Sequence, residues 1–309
     1  MKLTDLRQLD AHGAPRVAVT IGNFDGVHLG HQQLLRSLAE KARAEGLALV
    51  VITFVPHPRK ILRDGAESFL ITSYERRAEL ILECGVEFVV ELNFTRDFST
   101  QSPEEFLRNS VLAYDGCRAV YLGWDFAFGA NKSGGVDLAE RVCAPRGVRV
   151  ESAIPYGVDG EQVSSTLVRS ALARGDVALA ARLLGRCHTL EGLVVKGEGR
   201  GKRIGIPTAN LQRDPDLLAP GPGVYATETL TRGMSYKSVT NIGVNPTFKE
   251  DARVSVETHI LDFDEDVYGE VIRVKFLAKL RDERKFPTVN DLVEQVRRDI
   301  ERRRSDASG

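Results

Sequence analysis

The chain has 309 residues, 42% apolar and 28% charged, a mixture that excludes disordered and fibrous classes and favours two domains. Its net charge of −1 argues against a general nucleic-acid binder, so an anionic ligand has to be met by a local site. Met1–Asp10 carries acidic residues and no continuous apolar run, and no stretch is long and apolar enough for a bilayer span, so neither a secretory signal nor a membrane segment is expected.

In chain order, Arg16–Gly22 (RVAVTIG) and Leu47–Phe54 (LALVVITF) read as fully buried strands. Between them Leu34, Leu35, Leu38 and Ala42 recur at helical spacing, and Gly46 falls at a C-terminal cap. Ser102-Pro103-Glu104-Glu105 is a helix start, with a capping Ser, then Pro, then acids in the first turn. Val86–Leu92, Ala119–Leu122 and Val148–Ser152 supply further strands, so the first part is α/β with a parallel, doubly wound sheet. After Gly185 the pattern changes. Gly223–Leu230, Ser238–Gly243, Ser255–Leu261 and Glu270–Leu277 read as strands broken by turn residues, which predicts an antiparallel barrel. Thr288 and Asp291 form a capping box, and Leu292, Val296 and Ile300 mark one face of a closing helix. The domains are therefore expected at 1–184 and 185–309. Cys84, Cys117, Cys143 and Cys187 are far apart with no CxxC pair, which fits reduced thiols in a cytoplasmic protein better than zinc or disulfides.

The most informative segment is Gly22-Asn23-Phe24-Asp25-Gly26-Val27-His28-Leu29-Gly30-His31, between a predicted strand and a predicted helix. Backbone N–H groups at a helix start are unsatisfied and favour an anion. His28 and His31, three apart, can lie on one side there, and Gly22, Gly26 and Gly30 let the backbone come close to a ligand. Taken alone, an HxxH pair is better read as two surface or core histidines, and two ligands make a poor metal site. The strand, glycines and helix around it make a phosphate cradle the better reading, with imidazoles donating to developing charge.

This HxGH element resembles that of the nucleotidyltransferase superfamily, and the longer IGNFDGVHLGH resembles the version in bacterial FAD synthetases. Val163-Ser164-Ser165-Thr166-Leu167-Val168-Arg169 is similar to that family's second nucleotide motif. The resemblance implies ATP binding by Gly22, Phe24, Gly26, Gly30, Ser164, Ser165, Thr166 and Arg169, the serines being equally fit to cap a helix. Thr53-Phe54-Val55-Pro56-His57-Pro58 and Gly123-Trp124-Asp125-Phe126-Ala127-Phe128-Gly129 resemble the family's flavin loops. They imply flavin contacts from Phe54, Pro56, His57, Asp125, Phe126 and Phe128. Asp125 stands where the family carries Asn or Asp, and Trp124, Phe126 and Phe128 suit a core equally well. The implied chemistry is attack of the FMN phosphate on the α-phosphorus of ATP, with His28 and His31 stabilising the transition state and Mg²⁺ bridging phosphates.

Gly197-Glu198-Gly199-Arg200-Gly201-Lys202-Arg203-Ile204-Gly205 is glycine-rich and basic but lacks the GxxxxGK[ST] spacing, and by itself it reads as a surface turn. Running into Ile206-Pro207-Thr208-Ala209-Asn210-Leu211, it resembles the signature of riboflavin kinases. The resemblance implies phosphate binding by Gly197, Gly199, Gly201 and Lys202, and Mg²⁺ held by the oxygens of Thr208 and Asn210. Gly221–Ala226 resembles the strand start beside the flavin, implying Gly223 and Tyr225, and Asn241–Phe248 resembles the nucleotide-side loop, implying Asn241. Val254–His259 places Glu257 at the family's catalytic-base position, although by pattern alone it could be an exposed strand residue paired with a Lys or Arg.

Roughly Arg16 to Arg304 is thus similar to the bifunctional bacterial family that makes FMN from riboflavin and FAD from FMN, and homo-oligomers are plausible for it. Two rivals remain. A transferase for another phospho-alcohol or phosphopantetheine would not need PTAN and Glu257. A flavin-binding regulator would not need His28, His31, Thr208, Asn210 and Glu257 together.

Overall fold

The computed structural model describes residues 1–13, 16–63, 68–123, 128–130, 133–153, 157–158, 161–197, 199–244 and 254–306. They form two compact units, Met1–Glu67 with Thr72–Ser164, and Ser68–Ile71 with Ser165–Gly309.

In the first unit β1 (Lys2–Leu3), β2 (Val17–Ile21), β3 (Ala48–Val55), β4 (Phe88–Asn93), β5 (Cys117–Gly123) and β6 (Arg149–Ala153) form one parallel sheet, ordered β1-β4-β3-β2-β5-β6. A small hairpin, β7 (Gly157–Val158) with β8 (Glu161–Gln162), follows. The chain builds from β2 to β3 and β4, then crosses back to add β5 and β6 on the other side of β2. Strand order therefore reverses between β2 and β5, and in such sheets ligands bind beyond the carboxyl ends at the reversal.

The strands are continuously apolar because both faces are covered. Val17, Val19, Ile21, Val50, Ile52, Phe54 and Val90 meet one layer, which includes Phe106, Leu107, Val111, Ala139 and Cys143. Ala18, Leu49, Val51 and Val89 meet the other, supplied by helices α1 (Leu29–Ala44) and, after the short α2 (Pro58–Leu62), α3 (Tyr74–Leu82). After the one-turn α4 (Arg96–Ser99), α5 (Pro103–Phe106) starts with the expected cap: Glu105 N donates to Ser102 Oγ at 3.2 Å and Ser102 N to the Glu105 carboxylate at 2.9 Å. Helix α6 (Val136–Cys143) completes its layer.

The second unit opens with α7 (Ser165–Ala173) and α8 (Val177–Leu184), which group with the barrel because α8 packs on its last strand. This division falls ahead of the change in sequence character at Gly185. Strands β9 (Thr189–Val195), β10 (Ala209–Arg213), β11 (Gly223–Thr231), β12 (Met234–Val244), β13 (Val254–Ile260) and β14 (Val271–Arg281) close an antiparallel barrel in the order β10-β13-β12-β11-β14-β9. One helical turn, α9 (Arg200–Arg203), joins β9 to β10, and α10 (Val289–Ser305) ends the unit. Thr288 and Asp291 form the expected capping box, and Ile300 packs with Val224, Val239, Leu261 and Leu280. On the opposite face of β11 to β13, the buried hydroxyls of Thr227, Thr229, Ser238, Thr240 and Thr258 bond to one another at 2.8–2.9 Å, which satisfies polar groups that burial would otherwise penalise. His188, just before β9, is only 2% exposed; its Nε2 donates to Leu218 O at 3.0 Å, and burial pushes its pKa down to about 4. All four cysteines are free thiols, three of them buried.

Strands β1, β9 and β10 were not singled out from sequence. Lys2–Leu3 is too short to carry a period, and ANLQR in β10 has poor strand formers, held in place by β9 and β13 on its two sides.

Candidate active sites

Beyond Ile21 the chain turns through Gly22–Val27 into α1. Phe24 (φ +48°), Gly26 (φ +79°) and Val27 (φ +38°) are left-handed. For a β-branched residue this conformation costs of order 1–3 kcal/mol and persists only where the surroundings impose it. Val27 is fully buried and its N–H donates to Phe24 O at 3.0 Å. Gly26 N donates to Thr72 Oγ1 at 3.3 Å, and Thr72 N donates to Asp25 Oδ1 at 3.4 Å. His28 caps α1, its Nδ1 accepting from His31 N at 3.3 Å. With Nδ1 an acceptor, the neutral ring carries its proton on Nε2 and can donate there. The rings of His28 and His31 stack at 3.6 Å and 18°, with Phe24 edge-on to His31 at 5.1 Å. The spacing of three thus brings two imidazoles together at the N-terminus of a 16-residue helix, at the carboxyl edge where strand order reverses. Gly30 lies buried in the first turn of α1, and Gly22 immediately follows β2.

The neighbouring strand β3 ends beside this loop. Phe54 is buried in an aromatic cluster with Phe94, Phe98 and Phe106 at 5.6–6.2 Å, and Phe128 joins through Phe106 at 5.8 Å. Val55–Pro56 is cis. His57 caps α2, its Nδ1 accepting from Arg59 N at 3.1 Å, while its own N–H donates to Tyr74 Oη at 2.8 Å. Arg77 of α3, 1% exposed, donates from Nη1 to Asn23 O at 3.2 Å and from Nη2 to Phe54 O at 3.1 Å and Glu91 Oε1 at 3.4 Å. Sequence reasoning missed Arg77, since Tyr74-Glu75-Arg76-Arg77 reads as a solvated helix start. Asp125 and Phe126, with Trp124, lie outside the described residues.

Of the second nucleotide motif, Ser164 immediately precedes α7, Ser165 is its first residue and Thr166 is exposed. Arg169 donates from Nε to Phe69 O at 2.8 Å and lies over the Phe69 ring at 5.8 Å.

In the barrel the register assembles the second site. Asn210 on β10 stands directly opposite Glu257 on β13, and Glu257 stands opposite Asn241 on β12. Directly opposed residues share a face, so this row carries two amides flanking one carboxylate. All three are half-buried, on the face opposite Thr258. The glycine-rich loop folds onto the row: a Cβ on Gly197 would lie 2.3 Å from Asn210 Nδ2, and one on Gly201 would lie 3.2 Å from Thr208 Oγ1 and 2.3 Å from Ile206 O. Gly199 is left-handed at φ +70°. The Lys202 side chain and Asn245–Phe248 lie outside the described residues. Gly223 (φ +154°) is a conformation for glycine alone, and a Cβ there would meet Lys279 Cε at 2.6 Å. Tyr225 is fully buried, its hydroxyl donating to Gly221 O and its ring edge-on to Phe276 at 5.5 Å, so it shapes the strand start from within. Thr208 also lines an open cleft of about 440 Å³, walled by Pro207, Thr258, Ile260 and the 263–268 loop. Sequence reasoning missed that loop, whose Phe263-Asp264-Glu265-Asp266 reads as an acidic turn.

Residues 11–167 match the family model of FAD synthetase, and residues 184–306 match that of riboflavin kinase. The bifunctional riboflavin kinase/FMN adenylyltransferase of Bacillus subtilis is 35% identical over 285 residues, 91% of this chain and 89% of its own length. The protein of that name from Escherichia coli K12 is 36% identical over 284 residues, 91% and 90% of the two chains. The chain belongs to the bifunctional riboflavin kinase/FMN adenylyltransferase family. Its FAD synthetase module carries the His28/His31 loop, and its riboflavin kinase module carries the Asn210–Glu257–Asn241 row. A crystal structure from Streptococcus pneumoniae, of a protein named for macrolide efflux, has the same fold, with a TM-score of 0.86 and 30% identity over 99% of both chains. In the present chain no helix among the described residues is long and apolar enough to cross a membrane.

Proposed function

We propose that the chain runs the family's two reactions at two separate sites, riboflavin phosphorylation at the Asn210–Glu257–Asn241 row and adenylyl transfer at the His28/His31 loop. The chain converts riboflavin to FMN and FMN to FAD, with ATP as donor in both steps. The observation that carries the site assignment is the register that flanks Glu257 with Asn210 and Asn241.

At the barrel, Glu257 takes the proton of the ribityl 5′-hydroxyl as that oxygen attacks the γ-phosphorus of ATP. Gly197, Gly199, Gly201 and Lys202 supply backbone and charge to the phosphates, with Asn241 on the nucleotide side. Thr208 and Asn210 offer the hard oxygen donors that would hold Mg²⁺. The ion, when bound with ATP, would supply charge neutralisation at the phosphates.

At the parallel sheet, an FMN phosphate oxygen attacks the α-phosphorus and pyrophosphate leaves. The N–H groups opening α1 and the imidazole donors of His28 and His31 meet the charge that develops, and Gly22, Gly26 and Gly30 let the phosphates approach. Phe24 packs against His31 and holds its ring. Ser164, Ser165, Thr166 and Arg169 serve the triphosphate. The flavin ring is assigned to the end of β3, near Phe54, Pro56 and His57, with Asp125, Phe126 and Phe128. Free, mostly buried thiols support a cytoplasmic location.

Chromatography of products from riboflavin, ATP and Mg²⁺ tests the assignment. FAD with transient FMN is expected from the parent chain. Glu257→Gln abolishes FMN formation but leaves FMN-to-FAD conversion intact, while the double variant His28→Ala, His31→Ala accumulates FMN. Loss of both activities from either change in a folded chain would sink the two-site reading.

A further inference from the structure

We infer that Arg77 is a positioning residue for adenylyl transfer, locking the loop after β2 to the loop after β3. The inference rests on the reading of the His28/His31 loop as the adenylyl-transfer site.

Strands β2 and β3 run side by side in parallel, and Gly22 N donates to Ile52 O at 3.0 Å where β2 gives way to its loop. Beyond that point one chain turns toward His28 and the other toward His57. The Arg77 guanidinium bridges the two where they part, holding Asn23 O at 3.2 Å and Phe54 O at 3.1 Å. Its planar fork offers donors at fixed angles to both carbonyls, which a lysine ammonium does not. A buried charge is tolerated only when paired. Glu91 on β4 supplies the pair at 3.4 Å, and Lys2 in turn meets Glu91 at 2.6 Å. An apolar residue could fill this space without that requirement, so the charge is kept for the carbonyls it holds.

The same short stretch grips both loops again. Thr72 bonds Asp25 and Gly26 on the histidine loop, and Tyr74 Oη accepts from His57 N on the other, while the Arg77 guanidinium lies over the Tyr74 ring at 5.0 Å. Thr72–Arg77 is therefore a bracket across two loops assigned to different substrates. Transfer between two anions depends on their alignment, and a displacement of about 1 Å can cost on the order of a hundredfold in rate.

The test is made in the full chain, where riboflavin phosphorylation is an internal control. Arg77→Lys keeps the charge and loses the fork. With FMN and ATP supplied, its kcat for FAD formation is expected to fall about 10- to 100-fold, the KM for ATP to move less than about threefold, and riboflavin phosphorylation to stay within about twofold. Guanidinium ion added to Arg77→Ala is expected to recover part of the lost kcat. Parent-like FAD formation in folded Arg77→Lys, a loss confined to KM, or an equal fall in both activities overturns the inference. Should both Arg77 variants fail to fold, Tyr74→Phe decides: it takes away the acceptor for His57 N, and an unchanged kcat for FAD formation overturns the bracket. The His28→Ala, His31→Ala chain separates the two levels. If it still makes FAD, the site assignment fails; if it does not while Arg77 variants are parent-like, only the bracket fails.

Discussion

His188 is held neutral by burial, and acid has to work against that. Its pKa is about 4 in the fold, against an ordinary value of 6.5. Between those values the unfolded chain binds the proton and the folded chain does not, so stability is fully present above about pH 6.5 and is lost as pH falls toward 4, by up to roughly 3 kcal/mol. Urea titrations of the full chain across that range should show the barrel transition moving to lower urea with acid, and His188→Gln should flatten the dependence. Gly197 makes a sharper demand. A methyl there would lie 2.3 Å from Asn210 Nδ2, so Gly197→Ala must push that amide out of the row. Riboflavin phosphorylation is expected to fall at least about tenfold, with FMN-to-FAD conversion unaltered when both are assayed on one preparation. At this scale the sequence was most legible where chemistry and spacing coincide, as at His28 and His31. Arg77 was illegible because a buried guanidinium and a solvated one have the same letter, and only the packing of α3 on the strand ends tells them apart.

Elements were legible where one period or one cap dominates. The capping pairs Ser102/Glu105 and Thr288/Asp291 form as expected because each is complete within four residues. Thr288→Ala removes the hydroxyl that accepts from Asp291 N and receives no other cap in return. It should cost about 1 kcal/mol, seen as a lowered melting temperature. If α10 is instead held wholly by its contacts with Val224, Val239 and Leu261, that change leaves the melt unmoved. The row of Asn210, Glu257 and Asn241 was legible only as separate motifs. Its geometry depends on pairing between strands distant in sequence, and a one-residue slip would turn Glu257 to the other face. Strand β10 was missed because its residues have little strand preference of their own and are fixed by neighbours.

For the molecule as a whole, separate sites imply that the product of one can reach the other through solution. A mixture of Glu257→Gln chains with His28→Ala, His31→Ala chains should therefore make FAD from riboflavin although neither does alone, with a lag that shortens as enzyme concentration rises. No FAD from the mixture, with each remaining activity intact, would mean that FMN does not leave the chain that made it. The barrel's closure bears on timing as well. Its ring is sealed by pairings of β9 with β14 and of β10 with β13, so it cannot close until β14 has emerged. Long-range pairings of this kind are slow to form, and modules fold in the order of synthesis. The FAD synthetase module, complete much earlier in the chain, has its sheet ready while the barrel is still open. A newly made molecule thus has the sheet of its finishing module in place before the module that adds the first phosphate can close its ring.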